Sequence, residues 1–236
     1  MVEEITKHTK KIYKEVRNTK HSFGEKVKDV IVEICIIVFA VTISIWLHGW
    51  SEHRHQQREV REFLTDIRND LKDDVANLKN ARDTMKKNRI DFLFLRNLTK
   101  QKYDSIHKIH ADVRMNARLA TIVINSGNYE GFKSSGKIGY IENKKLKNSI
   151  LNYYEKVTPL VAETDKANMA QALKIISFLM ETDEDEDLSK ILLGSKVKAM
   201  TALHTDLQLK FSIETFDAAI YYANDIIREI DKQATN

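Results

Sequence analysis

The chain has 236 residues, of which 31% are charged and 42% are hydrophobic, and its net charge at pH 7 is +4. This nearly balanced charge, without a basic stripe, argues against nucleic acid as a partner. The single cysteine, Cys35, excludes an intrachain disulfide and a cysteine-based metal site. Seven glycines and one proline favour long helices over strands.

Residues 1–29 form a polar tail that is rich in lysine. Ile5, Ile12 and Val16 lie on one side of a helical wheel, which predicts a short helix at a membrane surface. The tail is therefore expected to be a segment distinct from the apolar stretch that follows it.

Residues 30–50 form the most apolar stretch of the chain. Between residues 34 and 47 only Thr42 and Ser44 are polar, and a helical hydroxyl can bond to the preceding turn. About twenty residues, at about 1.5 Å each, cross a hydrocarbon core of roughly 30 Å. The stretch predicts one transmembrane helix. A buried helix of a soluble domain is the alternative, because the strictly apolar part is only about fourteen residues long.

Basic residues predict the orientation of this helix. Eight Lys and Arg residues precede it, whereas those that follow it closely are Arg54, Arg58, Arg61 and Arg68. The positive-inside rule then places residues 1–29 in the cytoplasm and the long C-terminal part on the other side.

Four residues in and beside the helix are candidate contacts with the lipid bilayer or a partner: Glu33, Trp46, Trp50 and Glu52. Trp46 and Trp50 lie four residues apart, hence on one face, and indoles favour the membrane–water interface. A charge inside an apolar stretch, such as Glu33, is a functional candidate. Glu33 could instead snorkel to the headgroups or meet a lysine such as Lys26, and a helix–helix contact and proton coupling are further alternatives.

The pattern beyond Trp50 predicts that the helix continues. No glycine or proline occurs between residues 51 and 126, and apolar residues recur at three- and four-residue steps. A second helical stretch, at about residues 90–117, either folds back through a turn near residues 87–89 or prolongs the first as one rod. The apolar stripe of the first stretch comprises Val60, Phe63, Leu64, Ile67, Leu71, Val75, Leu78 and Met85.

Glycines cluster between residues 127 and 139, and further helices follow. Residues 129–135 predict a short helix that Gly136 ends in the left-handed conformation, and Asn143 is a good N-cap for the next helix. Pro159 kinks that helix or restarts it. A last helix is expected at about residues 195–233. The residues expected to face inward are Leu146, Ile150, Tyr153, Tyr154, Val157, Leu160, Leu173, Ile176, Leu179, Val197, Met200, Leu203, Leu207, Phe216, Ile220, Ala223, Ile227 and Ile230.

These elements predict an all-α fold, in which one N-terminal transmembrane helix precedes an elongated antiparallel helical bundle. The predicted divisions are a basic tail at residues 1–29, a transmembrane helix at residues 30–50 and a helical-bundle domain at residues 51–236.

Two patches of the sequence resemble a bacterial family of single-span membrane proteins whose domain has no assigned function. In the first patch, Glu33 precedes Trp50, Ser51 and Glu52 at the family's spacing between its glutamate and a Trp-Asn-Glu motif. The second patch follows the family's Ser-Gly…Leu-Ile-x-Asn pattern, with a Tyr-Tyr pair after it. The resemblance implies a single-pass protein of the bacterial inner membrane with a periplasmic C-terminal domain. Its second patch supplies a candidate partner surface: Ser135, Gly136, Tyr140 and Asn143. The chain departs from the family pattern at Val32, Trp46, His48, Gly49 and Ser51.

No catalytic, cofactor-binding or metal-binding motif is visible in the sequence, so we expect neither an enzyme nor a cofactor. His107 and His110 lie three residues apart, but no partner ligands for a metal can be named. The acidic run at residues 181–187 lacks the glycine and the spacing of a calcium loop. The run from Ser134 to Lys137 lacks the first glycine and the preceding strand of a phosphate loop.

The sequence favours a non-enzymatic, membrane-anchored helical module that binds itself, as a homo-oligomer, or another envelope protein. An envelope sensor or transmission subunit, in which Glu33 reports across the membrane to a partner protein, is the alternative. A membrane-tethered hydrolase whose catalytic groups converge from distant helices is a third hypothesis.

Overall fold

The computed structural model describes residues 2–16, 23–108, 122–181 and 188–235. Within these ranges every regular element is helical and no strand occurs. The all-α prediction is therefore confirmed for the described part of the chain. The chain divides into two compact units, Met1–Glu59 and Val60–Asn236.

The first unit contains α1 (Val2–Val16) and the beginning of α2 (Phe23–Arg96). α2 includes a stretch that is long and apolar enough to cross a membrane, and none of its most apolar window is buried. Thr42 and Ser44 donate their hydroxyl hydrogens to carbonyl oxygens four residues earlier, at 2.7 and 2.9 Å. Their polar groups are thus satisfied inside the helix, as an apolar environment requires.

α2 continues through residues 87–89 and ends at Arg96. Of the two alternatives, the turn near residues 87–89 does not occur. The residues there contain no helix breaker, and the helix stays packed on the core on both sides of them. The chain turns instead at residues 97–99, where the Thr99 hydroxyl accepts the Lys102 N–H at 3.3 Å and begins α3 (Lys100–Lys108). The rest of the helix expected to reach residue 117 lies outside the described residues.

Two capping predictions are confirmed between residues 127 and 152. α4 (Gly127–Ser134) is followed by Gly136, whose φ of +75° lies in the left-handed region that glycine adopts most readily. A 3₁₀ turn (Lys137–Tyr140) leads to α5 (Lys144–Asn152). The Asn143 side chain accepts the Leu146 N–H at 3.1 Å and so caps α5.

A π-helical turn, the first π-segment (Tyr153–Val157), joins α5 directly to α6 (Thr158–Met180). Pro159 lies at the start of α6, where its missing N–H disturbs the α-helical hydrogen-bond pattern. A π-turn changes that pattern locally without ending the helix. The helix therefore passes Pro159 without a break in helical conformation.

The C-terminal part repeats this construction. α7 (Leu188–Leu193) and α8 (Ser195–Leu203) lead into the second π-segment (His204–Leu209), which continues as α9 (Lys210–Thr235). The long last helix is thus confirmed in extent, with a π-turn inside it. The acidic residues 182–187 lie outside the described ranges.

The core of the second unit is built on the apolar stripe of α2. Every member of the predicted stripe, from Val60 to Met85, is buried. Side chains from α4, α5, the first π-segment, α6 and α9 complete this core. They include Tyr129, Leu146, Ile150, Tyr153, Val161, Ile175, Phe216, Ala223 and Ile230.

Four residues that were expected to face inward are exposed instead: Leu160, Leu173, Leu203 and Leu207. The last two lie off the face that packs on the core. Val197, Thr201 and Thr205 are buried on that face, and Ser212 and Phe216 continue it after the second π-segment.

Three ion pairs join α2 to the C-terminal helices at the surface of the second unit. Arg68 pairs with Asp231, Arg82 pairs with Asp217 at 2.8 Å, and Arg96 pairs with Asp206 at 2.7 Å. Each is exposed or half-buried, so each contributes at most about 1 kcal/mol.

Candidate functional site

Asp74 is a carboxylate inside the core of the second unit, where its side chain is fully buried. The Asn125 backbone N–H donates to one oxygen at 2.9 Å, and the Tyr153 hydroxyl donates to the other at 3.2 Å. Burial raises the pKa of Asp74 to about 6; these two hydrogen bonds lower it, and the charges of Asp70 and Asp73 raise it. A carboxylate of this kind changes its charge close to neutral pH.

Three tyrosines form an aromatic cluster beside this carboxylate. The rings of Tyr129 and Tyr154 stack with centroids 4.4 Å apart, and Tyr153 meets Tyr154 edge-on at 5.0 Å. The Tyr154 hydroxyl is buried and has no hydrogen-bond partner among the described residues. Burial raises the pKa of all three phenols, so they stay protonated. Asp74, Asn125, Tyr129, Tyr153 and Tyr154 are called the Asp74 cluster below.

Polar contacts at the edge of the Asp74 cluster fasten α4 to the first π-segment. The Tyr129 hydroxyl donates to Glu155 at 2.8 Å, and the Lys133 ammonium lies 2.7 Å from the same carboxylate oxygen. The bond from Lys133 lowers the pKa of Glu155. Asn128 of α4 also donates to Asp70 of α2 at 2.9 Å, so α4 is held from two sides.

The four residues of the predicted partner surface lie around the end of α4 and the start of α5. Ser135 and Gly136 are exposed, whereas Tyr140 and Asn143 are half-buried. The Ser135 hydroxyl donates to the Phe132 carbonyl at 2.8 Å. Gly136 and Asn143 have the local backbone roles described above, and Tyr140 packs against the core. The four thus share one short stretch of the fold.

Glu33 lies within the first unit and is contacted by His8 and Lys11 of α1. His8 Nδ1 makes a close contact with one carboxylate oxygen, and Lys11 Nζ lies 3.8 Å from the other. Only 12% of the Glu33 side chain is exposed. Its partners are therefore residues of the tail helix, whereas the sequence suggested Lys26, whose side chain lies outside the described ones.

Trp46, Trp50 and Glu52 are exposed on α2. The Arg54 guanidinium lies 4.7 Å from the Trp50 ring centroid, which is a cation–π distance. Glu52 accepts a hydrogen bond from Gln56 at 3.1 Å. These residues are not brought together with Glu33, which lies about four turns earlier on the same helix.

The sequence matches a protein family over residues 33–165, a range that contains both Glu33 and the Asp74 cluster. The match covers more than half of the chain. Its description is a family of unknown function, DUF6090. The chain belongs to the DUF6090 family. No curated protein and no solved structure matches the chain.

The region matched to DUF6090 ends at Asp165, so α7, α8 and α9 lie outside it. Both resembling patches lie inside it, and the expectation of a family without an assigned function is confirmed. Within the DUF6090 region, the Asp74 cluster is the place where buried titratable groups converge.

The sequence analysis missed Asp74, although a signal was present. Asp74 occupies a position on the apolar stripe of α2, three residues after Leu71 and four before Leu78. A carboxylate at such a position must be buried with hydrogen bonds or face outward. Its partners, Asn125 and Tyr153, could not be found this way because they are far away in the sequence.

A groove of about 640 Å³ runs along α6, where Ile122, Ile124, Met169 and Leu173 are among its lining residues. Asp165 lies at this groove and accepts the Ile122 backbone N–H, while burial raises its pKa. Its Oδ1 atom is buried without a hydrogen-bond partner among the described residues. The groove and the Asp74 cluster therefore share the chain segment that begins at Ile122.

No cluster of metal-ligating side chains occurs within the described ranges. His107 stacks on Tyr103 with centroids 6.2 Å apart, and His110 lies outside the described residues. A buried histidine that the sequence analysis did not single out is His204, at the start of the second π-segment. Burial lowers its pKa to about 4, so it stays neutral near pH 7.

Proposed function

We propose that this DUF6090 protein is a membrane-anchored helical module that binds another envelope protein or a second copy of itself. The observation that carries the proposal is the apolar part of α2, which is long enough to cross a membrane and is unburied in the structure. An apolar helical surface of this length is stable in a bilayer and costly in water.

We further propose that the second unit is an antiparallel bundle. The ion pairs support this arrangement, because the α2 partner advances from Arg68 to Arg82 to Arg96 while the other partner recedes from Asp231 to Asp206. Helices that run in opposite directions give such a sequence of contacts. A bundle of this kind presents long, regular surfaces to a partner.

The surface we assign to partner binding lies on the C-terminal helices. Leu203, Leu207, Phe211 and Tyr221 are all between 46% and 62% exposed. Aromatic and aliphatic side chains in such numbers mark protein–protein contacts more often than solvated surface. The patch from Ser135 to Asn143 is a second candidate surface, supported by the family resemblance of its motif.

The same proposal includes the absence of catalytic activity. In its support, Asp74, Tyr129 and Tyr153 use their polar atoms in internal hydrogen bonds. Groups engaged in this way hold helices together and have no free atom to direct at a substrate. A screen that found hydrolysis by the wild-type protein, lost in Asp74→Asn, would contradict this part.

The proposed location is the bacterial inner membrane, with α1 in the cytoplasm and the second unit in the periplasm. Single cysteines placed at Lys7 and Lys147 in a Cys35→Ser background test it. A membrane-impermeant maleimide should label position 147 in intact spheroplasts and position 7 only after the membrane is opened. The opposite pattern would reverse the orientation, and labelling of both positions in a soluble fraction would contradict membrane anchoring.

Mild-detergent extraction followed by mass photometry tests the interaction itself. We expect either a defined homo-oligomer or a stoichiometric complex with a second protein. Leu207→Glu with Phe211→Glu should dissolve the assembly, whereas Met180→Glu, at an 80% exposed position on α6, should leave it intact. A strict monomer without a crosslinked partner would contradict the proposal.

A sensor or transmission subunit is a second candidate, favoured by the contacts of Glu33. His8 and Lys11 both contact this carboxylate, so a change in its charge would alter how α1 meets α2. Glu33→Gln should then change the protease sensitivity of α1 and the phenotype of the cell together. If the variant leaves both unchanged, Glu33 neither holds α1 nor transmits a signal, and this second candidate is contradicted.

A further inference from the structure

Residues 122–126, called the latch loop here, contact two carboxylates, the buried Asp74 and the half-buried Asp165. Asp74 of α2 accepts the Asn125 N–H at 2.9 Å, and Asp165 of α6 accepts the Ile122 N–H. The Asn77 amide reaches the Val123 carbonyl at 3.5 Å, near the limit of a hydrogen bond. Ile122 and Ile124 also pack against the core, so the loop is held by apolar contacts and by two groups that can gain or lose a proton.

The charged groups around Asp74 do not neutralise it. Its own helix contributes Asp70 and Asp73, which are also acidic, while α4 and the first π-segment contribute the phenols of Tyr129, Tyr153 and Tyr154. The latch loop itself, with the sequence Ile-Val-Ile-Asn-Ser, contains no titratable side chain. Among the described residues, none of the groups that shift the pKa of Asp74 is a cation, so its ionised form is buried without a counter-charge from them.

Charges on the neighbouring C-terminal helix are engaged elsewhere. On α9, Asp225 pairs with Arg228 at 2.9 Å, and Asp217 and Asp231 pair with the α2 arginines. At the edge of the cluster, Lys133 is bound to Glu155. At the other anchor, Lys166 lines the same groove as Asp165.

Protonation changes what Asp74 can do in this setting. A neutral carboxyl group needs no counter-charge and costs less to bury than a carboxylate does. An ionised carboxylate is instead stabilised by water, which reaches it when the loop moves away. Closing of the loop and binding of a proton therefore favour each other.

We propose that the latch loop is a proton-sensitive latch, which closes on α2 when Asp74 is protonated and loosens when Asp74 is ionised. Ile122, Ile124 and Ser126 of this loop also line the groove along α6, so the latch sets one wall of that groove. The inference does not depend on membrane anchoring, because every residue it uses belongs to the second unit.

Hydrogen exchange of the full-length protein in mild detergent tests the latch. Opening constants are obtained for peptides covering residues 122–134 at pH 5 and pH 7.5, after correction for intrinsic exchange rates. With the Asp74 pKa near 6 when closed and near 3.8 when open, opening should increase about tenfold between the two pH values. Peptides from residues 216–226 of α9 serve as the internal reference and should change much less.

Three variants connect the effect to Asp74. Asp74→Asn is neutral at every pH, so its latch loop should exchange slowly at both pH values. Asp73→Asn removes one negative charge at an exposed neighbouring position and should retain most of the wild-type increase. Tyr153→Phe removes a hydrogen bond that stabilises the ionised form, so it should move the midpoint of the transition to higher pH.

Three results would overturn the inference. In the first, the latch loop and the α9 reference respond equally to pH. In the second, the latch loop of Asp74→Asn shows the same increase in opening between pH 5 and pH 7.5 as the wild type. If Asp74→Asn fails to fold, Tyr153→Phe decides: a midpoint that stays in place or moves to lower pH contradicts the role of Asp74.

Discussion

Asp74 and His204 are both buried, yet their surroundings differ. Asp74 lies on α2 and is bonded to Tyr153 of the first π-segment, whereas His204 belongs to the second π-segment and contacts Phe92 of α2. Asp74 accepts two hydrogen bonds and lies among tyrosines. His204 meets the Phe92 ring edge-on, with centroids 4.5 Å apart, and its Nδ1 has no partner among the described residues. One group sits in a polar cluster and the other in a mainly apolar one.

Burial shifts both groups toward the neutral form, but the consequences for stability have opposite signs. The pKa of Asp74 is raised from 3.8 to about 6, so its contribution to stability is lost as the pH rises through that range. The pKa of His204 is lowered from 6.5 to about 4, so its contribution is lost as the pH falls. Between about pH 4 and pH 6 the two effects partly cancel.

The largest expected effect on stability comes from Phe92, whose ring contacts His204. Phe92→Ala leaves a cavity in the core and should lower the free energy of unfolding by about 3–4 kcal/mol, as measured by urea denaturation in mild detergent. Water that enters the cavity should also reduce the loss of stability that protonation of His204 causes at low pH. Met180→Ala, at an 80% exposed position, should cost less than about 0.5 kcal/mol. Equal losses in the two variants would place Phe92 outside the core.

His204→Gln isolates the histidine side of the comparison. Relative to the wild type, the variant should gain about 2 kcal/mol in unfolding free energy when the pH falls from 7.5 to 5, because glutamine does not bind the proton. The same substitution at the exposed His107 is the control and should show no such gain. A His204→Gln difference that stays constant with pH would mean that the histidine protonates equally in both states.

Asp74→Asn should show a smaller difference with the opposite sign. Its unfolding free energy relative to the wild type should rise by about 1–2 kcal/mol between pH 5 and pH 7.5, because only the wild type keeps a buried negative charge. Two urea titrations at each pH measure it. A relative stability that falls over this interval would show that the hydrogen bonds outweigh the cost of burial.

The smallest effect concerns two tyrosine hydroxyl groups. Tyr129→Phe removes the bond to Glu155 and should cost about 1 kcal/mol at pH 7.5, whereas Tyr154→Phe removes a hydroxyl without a partner and should cost less than about 0.5 kcal/mol. The difference in urea midpoint between the variants is the measurement. A larger cost for Tyr154→Phe would reveal a hydrogen bond to Asp74 at neutral pH.

Local patterns were sufficient where the cause of a feature lies within a few residues. The stripe of α2 from Val60 to Met85 was predicted correctly because each step of three or four residues returns to the same helical face. Gly136 and Asn143 were predicted correctly because a cap depends on one residue and the turn beside it.

Predictions failed where packing between distant segments decides. Leu203 and Leu207 were expected to face inward, but the face that packs on the core carries Val197, Thr201 and Thr205 instead. The sequence left open whether the chain turns near residues 87–89 or continues as one rod, and the structure has α2 continue to Arg96.

The sequence by itself determined the class of this protein: helices throughout the described residues, one helix apolar enough for a membrane, and the caps that begin and end its short elements. Only the tertiary structure decided its chemistry. Asp74, Asn125 and Tyr153 meet because helices far apart in the chain pack together, and the exclusion of water where they meet raises the pKa of Asp74. A local pattern cannot encode this, since burial is a property of the whole packed core.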